Sequence, residues 1–171
     1  MTFCLNSIII KPENGVEITN AIILLHGYGG DGNDISMLSL NWKRHLPNTV
    51  FICPNGHEPC AINPSGYQWF DLTKEDSKYT LDQSIKAEKI LKKFINEVKQ
   101  EFKLSNEQIC LSGFSQGCMM SLNVGLTSEK KFLCLVGFSG KIINQKDLKN
   151  RIKNNTETLL IHGEADQIVP S

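Results

Sequence analysis

The sequence predicts a doubly wound α/β fold built on a mostly parallel sheet. Short apolar runs rich in β-branched residues recur along the chain, as in strands buried on both faces of a parallel sheet. Segments with helical periodicity separate most of these runs, and strands that alternate with helices are typical of an α/β domain. The predicted strands are 3–10, 21–25, 49–53, 108–112, 132–138 and 158–162.

The apolar periodicity that predicts a helix is stronger in some segments than in others. The clearest is 80–103, where apolar residues form one face and lysines and acids the other. Another helix is expected to be capped by Asp34 or Ser36 and to stop before Pro47. The predicted helices are 35–46, 80–103, 115–127 and 142–153.

Length and charge narrow the class of protein. A chain of 171 residues is most simply one domain, 1–171, which buries roughly two-thirds of its extended surface. The 18 basic residues balance the 18 acidic ones, so the charge favours neither a nucleic acid nor an acidic membrane as partner. No apolar run approaches the ~18 residues of a membrane span, and we expect no signal peptide.

The cysteines indicate a reducing compartment. Six are present without a C-x-x-C pair, and most lie in strand-like runs where cysteine behaves as a small hydrophobic residue. We therefore expect free thiols and a cytoplasmic location. Cys53, His57 and Cys60 form C-x3-H-x2-C, but no fourth ligand is evident, so no metal site is expected.

A glycine-rich loop, 26-HGYGGDG-32, follows the second predicted strand and matches G-x-G-x-x-G. A dinucleotide-binding loop needs an acid about 20 residues later, at the end of the next strand. That strand ends 51-FICPN-55, with no acid. Gly140-Lys141 is no Walker loop either, because Leu135 stands where the first glycine belongs. A nucleotide site is therefore disfavoured.

The stretch 113-GFSQG-117 matches the nucleophile elbow G-x-S-x-G, and it lies between a predicted strand and a predicted helix. In such an elbow the serine, here Ser115, occupies a strained turn with its hydroxyl exposed above the sheet. Side chains at Gly113 and Gly117 would collide with the neighbouring strand and helix. The helix N-terminus behind the serine favours developing negative charge. The motif predicts Ser115 as a catalytic nucleophile.

The elbow indicates a different function for the glycine-rich loop, as part of an oxyanion hole. An acyl-transfer oxyanion hole takes one backbone amide from the residue after the nucleophile and another from the loop after an earlier strand. Those amides would belong to Gln116 and Tyr28. The second G-x-S-x stretch, 137-GFSGK-141, is no elbow, because Lys141 stands where glycine is needed.

The long irregular segment 54–79 has two interpretations. A connection of this length is typically functional, such as a lid or a pocket wall. Alternatively, it is a structural excursion that packs Trp69 and Phe70 onto the core. In the functional interpretation, the aromatic residues Tyr67 and Trp69 line the substrate pocket, and the bound group is an apolar acyl chain.

Together these motifs resemble the phospholipase/carboxylesterase family of α/β-hydrolases, which includes the acyl-protein thioesterases. The matching stretches are LLHGYGGDGNDI, PNG…QWFDL, LSGFSQGCMMSL, GFSG and IHGEADQIVP. The resemblance implies an esterase or thioesterase that acts on small-molecule or lipid-like acyl substrates, without a metal or an organic cofactor. It also implies that Asp166 is the acid of a catalytic triad.

One departure from the family concerns the catalytic base. In α/β-hydrolases the histidine follows the aspartate along the chain, and family members carry it a few dozen residues later. This sequence stops five residues after Asp166. We therefore expect a C-terminally truncated domain, without the last strand and helix and without the triad histidine. His26, His57 and His162 fall at strand ends, where a substitute base would have to lie.

Two hypotheses and one surface property follow from this departure. The chain is either an esterase of impaired activity or a non-catalytic, acyl-binding module of the same fold. Apolar surface is expected beside 158–162, where a further strand would pair. Such an edge favours a homodimer.

Overall fold

The computed structural model describes residues 3–169, which form a six-stranded sheet with helices on both faces and a small separate hairpin. The strands are β1 Ser7–Ile10, β2 Asn20–Leu25, β3 Thr49–Pro54, β4 Glu58–Pro59, β5 Tyr67–Gln68, β6 Ile109–Phe114, β7 Cys134–Phe138 and β8 Thr158–Ile161. The α-helices are α1 Gly32–Trp42, α2 Ser77–Phe102, α3 Gln116–Leu126 and α4 Gln145–Arg151, and short 3₁₀ turns cover Lys43–His45 and Asn106–Gln108.

The main sheet has the strand order β1-β3-β2-β6-β7-β8. β1 runs antiparallel to β3, and every other pair of neighbouring strands is parallel. β4 and β5 pair only with each other, inside the long segment 54–79. The predicted α/β architecture is confirmed, and each predicted strand and helix is present with shifted ends.

The sheet separates a larger and a smaller core. α2 and α3 pack on one face, where Leu91 and Phe94 of α2 belong to the same buried cluster as Leu111 of β6. α1 packs on the other face, where Ile35 shares a second cluster with Leu24 of β2 and with Phe51 and Cys53 of β3. Strands covered on both faces need apolar residues at successive positions, which explains the continuous runs.

The helix starts differ from those predicted. Asp31, not Asp34 or Ser36, caps α1, and its carboxylate accepts a hydrogen bond from the Asp34 N–H at 2.8 Å. Asp31 has an extended backbone (φ −144°), as a cap requires, whereas Asp34 already lies in the first turn. Asp76 caps α2 in the same way, and α2 therefore begins at Ser77, three residues before the predicted start at 80.

A buried ion pair attaches α4 to α2. Both terminal nitrogens of Arg151 lie 2.9 Å from the carboxylate oxygens of Glu88, whose side chain is 4% exposed. Asn123 of α3 donates to the same carboxylate at 2.6 Å, and Arg151 also contacts Asp147. A buried carboxylate needs such partners, because desolvation penalises its charge.

The α1 face of strands β6 to β8 is largely uncovered. α1 lies over β2 and β3, and its last residue, Trp42, reaches β7, where its ring stacks on that of Phe138 with centroids 6.3 Å apart. Leu133, Leu159 and Ile161 are 49%, 56% and 46% exposed. The apolar surface expected beside 158–162 is therefore confirmed. In the part of the chain that the structure describes, no helix is both long and apolar enough to cross a membrane.

We predict that Arg151→Met lowers the free energy of unfolding by roughly 2–4 kcal/mol, because it removes the bidentate partner of the buried Glu88 carboxylate and leaves only the Lys92 ammonium, at 3.6 Å, as a cation beside it. The lower part of the usual range applies, since the Arg151 side chain is 28% exposed. Denaturant unfolding followed by circular dichroism measures the change. Arg44→Met, at an exposed arginine, is the matched control and should change stability little. Equal stability of the two variants would contradict the assignment.

Candidate active site

Ser115 lies at the turn between β6 and α3, in a conformation that L-residues rarely adopt (φ 52°, ψ −114°). Its N–H donates to the carbonyl of Phe138 at 2.8 Å, and its carbonyl accepts from Met119 at 3.1 Å. Strained backbone of this kind persists only where the surroundings hold it, and it is concentrated at functional sites. The predicted sharp turn is confirmed.

The flanking glycines allow this turn to pack. A Cβ built on Gly117 would collide with the carbonyl oxygen of Leu25 in β2, and one on Gly113 would collide with the backbone of Gly117. The first turn of α3 therefore lies directly against the end of β2, which is where the glycine-rich loop begins.

The glycine-rich loop reaches the serine from the end of β2. A Cβ on Gly27 would lie 3.0 Å from the Phe114 ring and 3.4 Å from the Ser115 Cβ. The Gly29 N–H donates a hydrogen bond to the Tyr67 carbonyl, and the Gly30 N–H donates one to the Gly27 carbonyl. The loop path is thus fixed beside Ser115.

Two backbone amides near Ser115 remain free within the described residues. The Tyr28 N–H has no protein acceptor, and the Gln116 N–H stands in the first turn of α3, where helix geometry provides none. Gln116 directly follows Ser115 in the chain, and Tyr28 follows Gly27, which packs against Ser115. Free amides at a helix N-terminus can stabilise an oxyanion.

The buried side chain of Gln116 connects the elbow to the segment 54–79. Its amide oxygen accepts from the Trp69 N–H at 2.9 Å, and its amide nitrogen donates to the Phe70 carbonyl at 2.6 Å. The indole N–H of Trp69 donates in turn to the His26 carbonyl at 3.0 Å. The segment is therefore held against the elbow by main-chain contacts.

A cavity of about 780 Å³ opens above Ser115. Its apolar wall comes from the segment 54–79 and from α3, and charged residues lie at one side. The lining includes Tyr28, Ile62, Phe70, Leu72, Lys74, Glu75, Asp76, Met119, Ser139, Lys141, Ile143 and Asp166. Sequence reasoning missed Met119, although it lies four residues after Ser115 and hence on the same helix face.

The position predicted for the pocket wall needs correction. Tyr67 and Trp69 are not among the residues that line this cavity. Trp69 is 1% exposed and packs against the His26 ring, with centroids 5.3 Å apart, while Tyr67 belongs to the β4–β5 hairpin. Phe70 and Leu72 form the wall instead. Both interpretations of the segment thus hold, because it fills the core and also borders the cavity.

Asp166 borders the same cavity as Ser115. One of its carboxylate oxygens accepts from the N–H groups of Ile168 at 3.0 Å and Val169 at 2.9 Å. The Val169 N–H is the main cause that lowers the pKa of Asp166, and the hydroxyl of Ser139 contributes. The aspartate is therefore ionised at neutral pH and faces the cavity as a fixed negative charge.

His26 is fully engaged in the structure. Its Nε2 accepts from the Gly56 N–H at 2.8 Å, so the proton is on Nδ1, which donates to the Gly27 carbonyl at 2.7 Å. Burial lowers the pKa of His26, which is 1% exposed. His26 is therefore neutral and stabilises the glycine-rich loop through its hydrogen bond to Gly27.

The other histidines also lie away from Ser115. Burial lowers the pKa of His57, whose Nε2 is 3.5 Å from a Glu58 oxygen. The His162 Nε2 contacts the Val169 carbonyl at 2.5 Å and is 3.6 Å from Asp166. His45 is exposed beside Arg44. Among the described residues, no histidine lines the cavity that contains Ser115.

The chain is similar in sequence to known acyl-protein thioesterases. The chain is 30% identical to acyl-protein thioesterase 1 of Schizosaccharomyces pombe, an alignment that covers all of this chain and 78% of the relative. It is 32% identical to acyl-protein thioesterase 1 of Emericella nidulans, over 89% of this chain and 71% of that protein.

A solved structure has a closely similar fold. The crystal structure of esterase PE8 superposes with a TM-score of 0.91 at 34% identity, covering 97% of this chain and 78% of that one. Zea mays acyl-protein thioesterase 2 shares the fold at 22% identity, with a TM-score of 0.70. Residues 6–171 match the phospholipase/carboxylesterase family. The chain therefore belongs to the phospholipase/carboxylesterase family of serine ester and thioester hydrolases, with the α/β-hydrolase fold.

Proposed function

We propose that the chain binds acyl esters or thioesters and that Ser115 is the nucleophile that attacks them. Asp166 is proposed as the acid of the triad, and the amides of Tyr28 and Gln116 as the oxyanion hole. The observation that carries the proposal is the strained elbow of Ser115, which shares one cavity with Asp166 and adjoins the glycine-rich loop.

The proposed reaction is acyl transfer through the serine. The Ser115 hydroxyl attacks the carbonyl carbon, and the two amides stabilise the oxyanion that forms on the carbonyl oxygen. Collapse of this intermediate expels the alcohol or thiol and leaves an acyl-serine ester, which water then hydrolyses. The α3 dipole favours negative charge at the same place. This chemistry requires no metal and no organic cofactor, and we propose none.

The reaction needs a base that accepts the proton of the Ser115 hydroxyl, and this need limits the rate that these residues can reach. A serine hydroxyl is a weak nucleophile unless a base removes its proton. His26 uses both ring nitrogens in hydrogen bonds, and neither His57 nor His162 borders the cavity with Ser115. We propose that the 171-residue chain alone turns over slowly. The same observation favours the second candidate, an acyl-binding module that retains the fold and the cavity.

The cavity wall supports an apolar acyl group as the bound part of the substrate. Ile62, Phe70, Leu72 and Met119 offer hydrocarbon surface around Ser115. The charged residues at the side carry both signs, Lys74 and Lys141 against Glu75 and Asp76, so they do not form an anion site. The free cysteines support the proposal of a cytoplasmic location.

A second copy of the chain is the partner that we propose for the sheet edge. β8 is the last strand of the described sheet, and all four of its residues are exposed. An exposed edge offers unpaired N–H and C=O groups to another strand. Two of these residues, Leu159 and Ile161, also extend the exposed apolar face of the sheet to this edge. Pairing of two β8 strands would cover both features.

The first prediction concerns turnover. In a triad enzyme, loss of the histidine alone costs roughly 10⁶-fold in kcat and leaves about 10³–10⁴ over water. We expect the 171-residue chain to hydrolyse an activated acyl ester at such a residual rate, and Ser115→Ala to lower it little further, because the oxyanion hole and substrate binding supply this rate. The assay follows release of the chromophoric alcohol by both proteins.

Two results would change the proposal. Robust turnover that disappears in Ser115→Ala would overturn the slow-turnover expectation, and His26→Ala, His57→Ala and His162→Ala would then identify the base. Labelling of another residue by a serine-directed phosphonate, with Ser115 left unmodified, would reject Ser115 as the nucleophile and support the acyl-binding module.

Substrate class is tested by binding, which does not depend on turnover. Leu72→Glu should weaken binding of a medium-chain acyl ester about tenfold or more, because it places a charge in the apolar wall. A matched phosphate ester should bind more weakly than the acyl ester to the unmodified chain. Leu40→Glu, at an exposed leucine of α1 outside the cavity, is the control. Preference for the phosphate ester would reject the acyl assignment.

Dimerisation is tested by sedimentation velocity. We expect a concentration-dependent dimer that Leu159→Lys and Ile161→Lys shift to monomer, because each change places a charge on the exposed apolar face of β8 itself. Leu40→Lys is the control for an added surface charge. An unmodified chain that stays monomeric and highly soluble at all accessible concentrations would contradict the proposed partner.

A further inference from the structure

Two cysteines lie opposite each other on neighbouring strands of the sheet. Cys110 of β6 and Cys134 of β7 are register partners in the parallel pair. Neighbouring strands are about 4.7–4.9 Å apart, which falls within the roughly 4.4–6.8 Å between Cα atoms that a disulfide requires. Both side chains border the same cavity of about 440 Å³ on the uncovered face, so they project to the same side.

The two thiols differ in exposure and in acidity. Cys110 is 5% exposed, whereas Cys134 is half-buried. The hydrogen bond from the Cys110 thiol lowers the pKa of Cys134, although burial and the charge of Glu157 oppose this effect. The same hydrogen bond, together with burial, raises the pKa of Cys110. The more accessible sulfur is therefore the one that becomes a thiolate, which is the reactive form.

The remaining thiols lack this combination of features. Burial raises the pKa of Cys53 to about 12 and that of Cys118 to about 11. Cys4 is exposed, but burial of its sulfur and the neighbouring Glu97 raise its pKa to about 11. Cys60 is buried. Within residues 3–169, Cys110 and Cys134 are the cysteines that face each other across paired strands.

We propose that Cys110 and Cys134 form a redox-active dithiol that a small-molecule disulfide, such as oxidised glutathione, converts to an interstrand disulfide. The Cys134 thiolate attacks one sulfur of the oxidant and releases one glutathione thiolate. Cys110 then loses its proton to solvent and attacks the Cys134 sulfur of the mixed disulfide, which releases the second glutathione. The two cysteines together lose two electrons and two protons, and the oxidant is reduced to two thiols.

The bond would connect two strands that already meet at the elbow. At their other end, the Ser115 N–H donates to the Phe138 carbonyl at the end of β7. A covalent link between β6 and β7 would restrict the unfolded chain and thereby stabilise the fold. This inference does not depend on the proposed hydrolase activity, because neither sulfur borders the cavity of Ser115.

The test treats the folded, full 171-residue chain with oxidised glutathione, at a concentration where it is monomeric. Remaining thiols are then alkylated under denaturing conditions, and the digest is mapped by mass spectrometry. We expect one intramolecular disulfide between the peptides that contain Cys110 and Cys134, and a higher Tm for the oxidised chain. In Cys110→Ala, Cys134 should instead retain bound glutathione, because the resolving thiol is gone. Cys118→Ala is the matched control and should still form the disulfide.

Two outcomes would overturn the proposal. In the first, Cys110 and Cys134 remain fully alkylatable after oxidation. In the second, the oxidant links other cysteines or joins two chains. Because mapping of the unmodified chain decides both, the test does not depend on correct folding of the variants.

Discussion

The close approach of α3 to β2 is the constraint on which the rest of this site depends. Gly117 lies against the carbonyl of Leu25, and no side chain larger than hydrogen fits between them. This contact sets the distance between the first turn of α3 and the start of the glycine-rich loop. The strained turn at Ser115 and the start of the glycine-rich loop are therefore held close to each other by this backbone contact.

Local patterns in the sequence predicted the strands, the helices and the elbow. Buried strands and amphipathic helices carry their own periodicity, and G-x-S-x-G combines with its strand and helix neighbours within a few residues. The position of Trp69 could not be predicted in this way. It depends on contacts with Gln116, 47 residues away, and with His26, 43 residues away. The cap of α1 was misplaced because Asp31 and Asp34 are equally good caps by residue type, and only the backbone conformation distinguishes them.

The roles of the histidines could not be predicted from local sequence patterns either. Three of them follow strands, and residue type alone leaves each a candidate base. Hydrogen bonding separates the roles, since the Gly56 N–H determines which ring nitrogen of His26 holds the proton. His26 is neutral and buried, and its Nε2 already accepts a hydrogen bond, so it stabilises the loop and does not transfer protons. Asp166, in contrast, gathers backbone donors that keep it charged, which no pattern of residue types reveals.

The bridge made by Gln116 has a consequence for how substrate preference can change. Its two hydrogen bonds go to main-chain atoms of Trp69 and Phe70, and main-chain atoms are the same whatever side chain is attached. The path of the segment is thus set separately from the side chains that it presents. Exchanges at Ile62 or Leu72 can reshape the cavity while the nucleophile stays in place. Under the proposed function, the fold thereby separates the part that would select an acyl group from the part that would cleave it, so that side chains of the first can change without moving the second.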